Sequence, residues 1–196
     1  MHGTVVQKAL ATVALTALVL APQPGPVLAA APLPQMPAVG IPGVTRTTAT
    51  AATTDRIVRQ IEAARDFCGR IAQREYTIDC LAAALDRVAR DMPGGDYDAA
   101  GRIIGRTARD LRRLAEANAD PALPRGRVRV GDTLSPRALT PVRRDALGPL
   151  GDRAAALLQE AETELLRAVE GSARRMIHYQ RIAAAVGSAK VLMRSI

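Results

Sequence analysis

The chain has 196 residues, 48% of them hydrophobic and 23% charged, with a formal net charge of +8. This is the balance of a chain able to bury a core, and not that of a disordered one. With no tryptophan, one phenylalanine and three tyrosines, it lacks the aromatic platforms on which single-stranded nucleic acid or sugars stack.

At the N-terminus, Met1 to Lys8 is short and carries one lysine, Ala9 to Ala21 is an uncharged apolar run interrupted only by Thr12 and Thr16, and Pro22 ends it. These are the parts of a secretory signal peptide, with Val27 and Ala29 as the small residues before a cut after Ala29. The apolar run is shorter than the roughly 20 residues that a membrane span needs. Residues 1–29 therefore read as a signal peptide. Residues 30–53, rich in proline, alanine and threonine and nearly free of charge, read as a flexible tether, and 54–196 as the folded domain. The expected location is outside the cytoplasm, the periplasm first and the extracellular medium as the alternative.

Export favours a disulfide between the only two cysteines, Cys68 and Cys80. A zinc site lacks ligands, since the histidines are His2, inside the signal, and His178. On one continuous helix the two cysteines would stand about 18 Å apart, beyond a disulfide's reach, so a turn is required between them.

The apolar pattern asks for the same turn. Ile57, Ile61, Ala64, Cys68 and Ile71 recur at helical spacing, and so do Ile78, Leu81, Leu85, Val88 and Met92. Two helices, about 54–73 and 77–92, form a hairpin folded about Arg74. Thr54 and Thr77 are the expected caps. Pro93, Gly94 and Gly95 stop the second helix, and Asp96 is the expected cap of a third, about 96–119, with Tyr97, Ala100, Ile104, Thr107, Leu111 and Leu114 on its seam.

Residues 120–151 break the periodicity with repeated prolines and glycines and read as a long loop, with an extended piece at Arg127 to Val130 and a helical turn near Pro141. A long last helix is expected over 152–195, with a seam through Leu158, Ala161, Leu165, Ala168, Ser172, Met176, Tyr179, Ala183 and Val186. Gly171 and Gly187 are its weak points. If straight, it overhangs its neighbours and exposes apolar surface. The fold class is all-α: an antiparallel bundle of three shorter helices and one long one, with coiled-coil-like packing.

The excess charge is unevenly placed. On the third helix Arg102, Arg106, Arg109 and Arg113 form a stripe opposite the apolar seam, and Arg125, Arg127 and Arg129 follow in the loop. These seven are the candidate contacts for an anionic partner. The competing reading is a solvated face paired to Asp98, Asp110 and Glu116.

Catalytic patterns are missing. No glutamate precedes His178 at the spacing of a helical di-iron site, Glu160 and Glu164 sit one turn apart on a polar face, and Gly101 and Gly105 follow no strand. The expectation is a protein without enzymatic activity, cofactor or metal: an exported interaction or structural protein of the cell envelope, whose partner is another envelope protein or a second copy. The alternative is a basic protein that binds anionic envelope surfaces, either lipid head groups or cell-wall polymer. Nucleic acid is not an expected partner.

Overall fold

The structure, a computed structural model, describes residues 47–169 and 172–196. The signal-peptide reading of 1–29, and the tether as far as residue 46, lie outside these residues. Among the described residues the chain is predominantly helical. Its five α-helices are α1 (Ala51–Gly69), α2 (Thr77–Asp91), α3 (Asp98–Ala117), α4 (Leu147–Arg167) and α5 (Ala173–Arg194), and its two strands are β1 (Arg129–Val130) and β2 (Thr133–Leu134). Each helix packs on the next in chain order, and α5 returns to α1.

The seams are where periodicity puts them. Ile57, Ile61, Ala64, Cys68 and Ile71 are buried, as are Ile78, Leu81, Leu85 and Val88, and all six named seam residues of α3. A disulfide joins Cys68 to Cys80 across the turn, with their Cα atoms 5.7 Å apart and both side chains fully enclosed. Burial at this density, at about 25 cal/mol per Å² of apolar surface, is the main force holding α1, α2 and α3 together.

The helix starts differ from expectation. α1 begins at Ala51 with Thr50 as its cap, the hydroxyl accepting from the N–H of Thr53. Thr54 lies one turn inside, buried, and its hydroxyl stands 2.9 Å from the carbonyl of Thr50. The cause is tertiary. Ala49 is buried and its N–H donates to the Asp96 carboxylate at 2.9 Å, while the Asp96 N–H donates to the carbonyl of Thr47 at 2.9 Å. Asp96 is thereby engaged and does not cap α3. A 3₁₀ turn, Gly95–Tyr97, leads into that helix, and Gly95 takes the positive φ of 73° that the turn demands. Nor does Thr77 cap α2: the 3₁₀ turn Arg74–Tyr76 runs straight into the helix, and the buried Thr77 hydroxyl has no partner among the described residues.

The expected single helix over 152–195 is two helices folded against each other. Leu158, Ala161 and Leu165 on α4 and Tyr179, Ala183 and Val186 on α5 are all buried, whereas Met176 near the break is 42% exposed. One straight helix could not cover both halves of that seam, so folding back wins the apolar burial. α4 also starts earlier than expected, at Leu147, because Pro149 is tolerated in a first turn whose N–H groups have no intrahelical acceptor. Gly151 is an interior residue of α4. A Cβ there would stand 2.3 Å from the carbonyl oxygen of Met193, so glycine permits α4 and α5 to approach this closely. Gly187 is likewise interior to α5, against the Glu162 carboxylate, and does not break the helix.

The connection from α3 to α4 is a fastened strap. β1 pairs with β2 around Gly131, at φ +56°, and Gly126 bridges to Leu139 and Ala119 to Val142. Leu139 and Val142 are fully buried. The helical turn expected near Pro141 falls at Arg144–Ala146.

Candidate anion-binding cleft

The seven arginines do not converge on one place. Arg102, Arg106 and Arg109 line a single cleft of about 470 Å³ between the C-terminal half of α2 and α3. Helical spacing puts these three on one face of α3, opposite Ile104 and Leu111. The floor of the cleft is Ala89, Met92, Gly101 and Gly105, with Arg90 and Asp98 on its rim.

Arg102 and Arg109 make no ion pair among the described residues, whereas Arg106 reaches Glu164 on α4. Arg90 pairs with Asp86, and Arg112 stands 3.5 Å from the same carboxylate. Two planar guanidinium groups thus face the cleft without a direct ion pair among the described residues, while the carboxylates of Asp86 and Asp98 share its lining. Each presents a fixed fork of donors matched to carboxylate or phosphate oxygens.

The glycine floor has its own cost. Glycine inside a helix is less favourable than alanine by about 1 kcal/mol. A Cβ at Gly101 would meet nothing nearer than 3.7 Å and one at Gly105 nothing nearer than 3.5 Å, both ordinary contacts. Packing does not demand glycine at either position. What glycine does at both is keep the cleft open beneath the arginines.

The remaining four arginines lie elsewhere. Arg113 pairs with Asp110 and faces a depression shared with Arg153. Arg125 lies 3.5 Å from Glu116. Arg127 and Arg129 line a concavity of about 530 Å³ with Gln73 and Tyr76, at the opposite end of α2 from the cleft. Arg113 and Arg125 each have an acid within ion-pair reach, the arrangement expected of a solvated face.

Two acids outside the cleft organise the strap. Asp79, with no exposed side-chain surface, accepts from both Nη atoms of Arg137 and from the N–H of Thr140. Glu75, almost equally buried, accepts from Arg144 Nε at 2.6 Å. Hydrogen bonding to its own backbone N–H, opposed by burial and aided by Arg144, holds the Glu75 carboxyl below the usual carboxylate range. Burial, with the nearby Glu75 and Asp120 charges, pushes the Tyr76 hydroxyl up, and its O–H donates to the carbonyl of Pro124 at 2.7 Å. Glu75 and Asp79, on either side of the start of α2, thus anchor this strap.

His178 is a junction residue. Its Nδ1 lies 2.9 Å from the hydroxyl of Thr54, which lies 2.8 Å from the hydroxyl of Tyr97. Thr54 and Tyr97 are fully buried, so no substrate reaches this hydroxyl cluster; it closes the contact between α1, α5 and the turn before α3. Among the described residues no three metal-ligating side chains gather, and no helix is long and apolar enough to cross a membrane. No protein-family model, curated protein or solved structure matches the chain.

Proposed function

We propose that this chain is an antiparallel helical bundle that binds anionic groups of the cell envelope, holding a phosphate or carboxylate in the α2–α3 cleft. The observation that carries this reading is the pairing of two uncommitted guanidinium groups, Arg102 and Arg109, with a floor of two helix-interior glycines that packing does not require. The exported setting rests on the N-terminal signal pattern, and the non-enzymatic reading on the catalytic patterns missing from the sequence. The fold-back of α5 along α4, which buries Tyr179, Ala183 and Val186, removes the overhanging helix as a support for an interaction module, whose remaining supports are the helical seams and the missing catalytic patterns.

Binding of this kind weakens as salt screens the charges, over a Debye length of about 10 Å at 0.1 M ionic strength. The test is co-sedimentation of the folded domain with vesicles containing phosphatidylglycerol and, separately, with purified cell-wall polymer, at rising salt. The expected result is retention at low salt, release at moderate salt, and at least a tenfold weaker association for the double variant Arg102→Ala, Arg109→Ala. Equal retention of parent and double variant on both materials would sink the proposal.

A further inference from the structure

The concavity of about 530 Å³ beside the strap shares no residue with the arginine cleft. One wall is the turn from α1 to α2, with Ile71, Ala72 and Gln73, and the other is the extended run from Pro124 to Arg129. The Tyr76 hydroxyl ties the two walls together by donating to the carbonyl of Pro124.

The backbone of the second wall is only half used. Gly126 exchanges both of its backbone bonds with Leu139, while Val128 accepts from the N–H of Ser135 at 2.8 Å and donates to its Oγ at 3.1 Å. Successive residues of an antiparallel pair turn their N–H and C=O groups alternately toward the partner and away from it. Arg127 and Arg129 are the residues turned away, and the N–H and C=O of Arg127 find no partner among the described residues. None of the partner run, residues 133–139, lines the concavity, so it opens on this free edge. Val128 and Val130 pack on the core, and the two-residue period of a strand then puts the side chains of Arg127 and Arg129 together on the outer face, about 6.6 Å apart along the chain.

Charge here has one sign. The flanking Arg125 and Arg137 are the arginines of the strap that reach acids, Glu116 and Asp79, whereas no carboxylate lines the concavity. Of the acids around it, Glu75 is held by Arg144, the Asp120 carboxylate accepts from the N–H of Ala122, and Asp132 sits at the hairpin tip beyond the lining. A free strand edge takes up an extended segment, main-chain hydrogen bonds giving the affinity and alternate side chains the selectivity. Cations at every second residue match carboxylates at every second residue of the guest, because both strands have the same period. A second copy paired edge to edge would set arginine against arginine, and residues 1–46 contain no acid, so neither is the guest.

We propose that this edge binds an extended segment of another protein that carries acidic residues at alternate positions, added as a strand beside Arg127 and Arg129. The test is calorimetric titration of the oxidised protein with a capped peptide of three Glu-Val repeats. Its controls are a block peptide of three glutamates followed by three valines, and the alternating peptide N-methylated at every residue. The expected result is saturable one-to-one binding of the alternating peptide, at least tenfold weaker for both controls and for the double variant Arg127→Ala, Arg129→Ala, and unchanged for Arg102→Ala, which separates this edge from the cleft. Both substituted side chains are exposed, so the double variant keeps its fold. Slower exchange of the Arg127 and Arg129 amide protons in the complex is the accompanying sign of strand addition. Block or methylated peptide binding as tightly as the alternating one would leave only a patch of charge, and that result, undiminished binding by the double variant, or no binding at all would each overturn the proposal.

Discussion

Asp79 and Arg137, 58 residues apart in sequence, meet in a two-pronged ion pair, with Nη2 to Oδ1 at 2.5 Å and Nη1 to Oδ2 at 2.7 Å. The Asp79 side chain is wholly enclosed and that of Arg137 is 31% exposed, so the pair seals the strap onto α2 from the solvent side. Thr140 adds its N–H to the same carboxylate, and the N–H of Val142 donates to the carbonyl of Glu75 at 2.9 Å. The strap therefore cannot lift from the α1–α2 turn without exposing two carboxylates that the rest of the structure keeps dry.

Removing one partner of such a pair leaves a buried charge uncompensated, at a cost of about 3–5 kcal/mol. Because Arg137 is partly exposed, water can move in when it is truncated, and the lower end of that range applies. Arg137→Ala is expected to lower unfolding free energy by about 3 kcal/mol in urea titrations. Arg129→Ala, exposed on β1 and without an ion pair among the described residues, is expected to change it by less than about 0.5 kcal/mol. Equal effects of the two substitutions would show that the Asp79 pair does not hold the strap.

Acid should loosen the same region through Glu75. Its carboxyl is held below the ordinary value of 4.5, chiefly by hydrogen bonding to its own backbone N–H and then, against the effect of burial, by Arg144. A group whose folded value is depressed contributes stability above its unfolded value and loses that contribution as pH falls through the folded one. The contribution is thus complete above the ordinary value and disappears on acidification below it. Glu75→Gln cannot titrate, so its stability is expected to fall less steeply than the parent's between about pH 5 and pH 3. Parallel acid limbs for parent and variant, measured by chemical denaturation, would remove Glu75 as a source of acid sensitivity.

How much of this was legible in the sequence follows from which contacts are local. Seams at three- and four-residue spacing placed α1, α2 and α3, because burying one face of a helix is a matter of near neighbours along the chain. The caps at Thr54 and Asp96 differ because the deciding contact joins Ala49 to Asp96, which no local pattern reveals, and that at Thr77 differs because the 3₁₀ turn Arg74–Tyr76 runs straight into α2. The break between α4 and α5 was only half legible: Gly171 marks a weak point between Arg167 and Ala173, but Ala168 and Ser172 keep the helical spacing, and a seam that folds back on itself has the same period as one that runs straight. In the cleft, Arg102, Arg106 and Arg109 were legible as one helix face, whereas Arg90 comes from α2 and joins them only by packing. Glu75 and Arg144 are 69 residues apart, so the anchoring of the strap had no sequence signal beyond two acids one turn apart.

Reduction of the Cys68–Cys80 bond is expected to cost about 3 kcal/mol, the loop-closure entropy that the bond removes from the unfolded chain. Both cysteines are fully buried, so reductant reaches them only through opening of the α1–α2 hairpin. In native buffer, thiol release should therefore follow the rate of local unfolding and rise steeply with urea. A release rate independent of urea, read with a thiol-specific dye, would show that the bond is accessible in the folded state.

Alanine at two kinds of helix glycine should move stability in opposite directions. At Gly151 the new Cβ would lie 2.3 Å from the Met193 carbonyl oxygen, which is backbone and cannot swing aside, so α5 must shift outward. Gly151→Ala is expected to cost about 1–3 kcal/mol, the usual range for overpacking a core. At Gly101 the new Cβ meets the Ala89 carbonyl at 3.7 Å and the Met92 side chain at 3.8 Å, ordinary contacts, and the helix gains the alanine preference of about 1 kcal/mol. Gly101→Ala should therefore raise the thermal midpoint while narrowing the floor beneath Arg102 and Arg109, so a variant that is both more stable and weaker in anion binding is the expected result. If Gly101→Ala instead destabilises the fold, glycine serves packing there, and the argument that it keeps the cleft open fails.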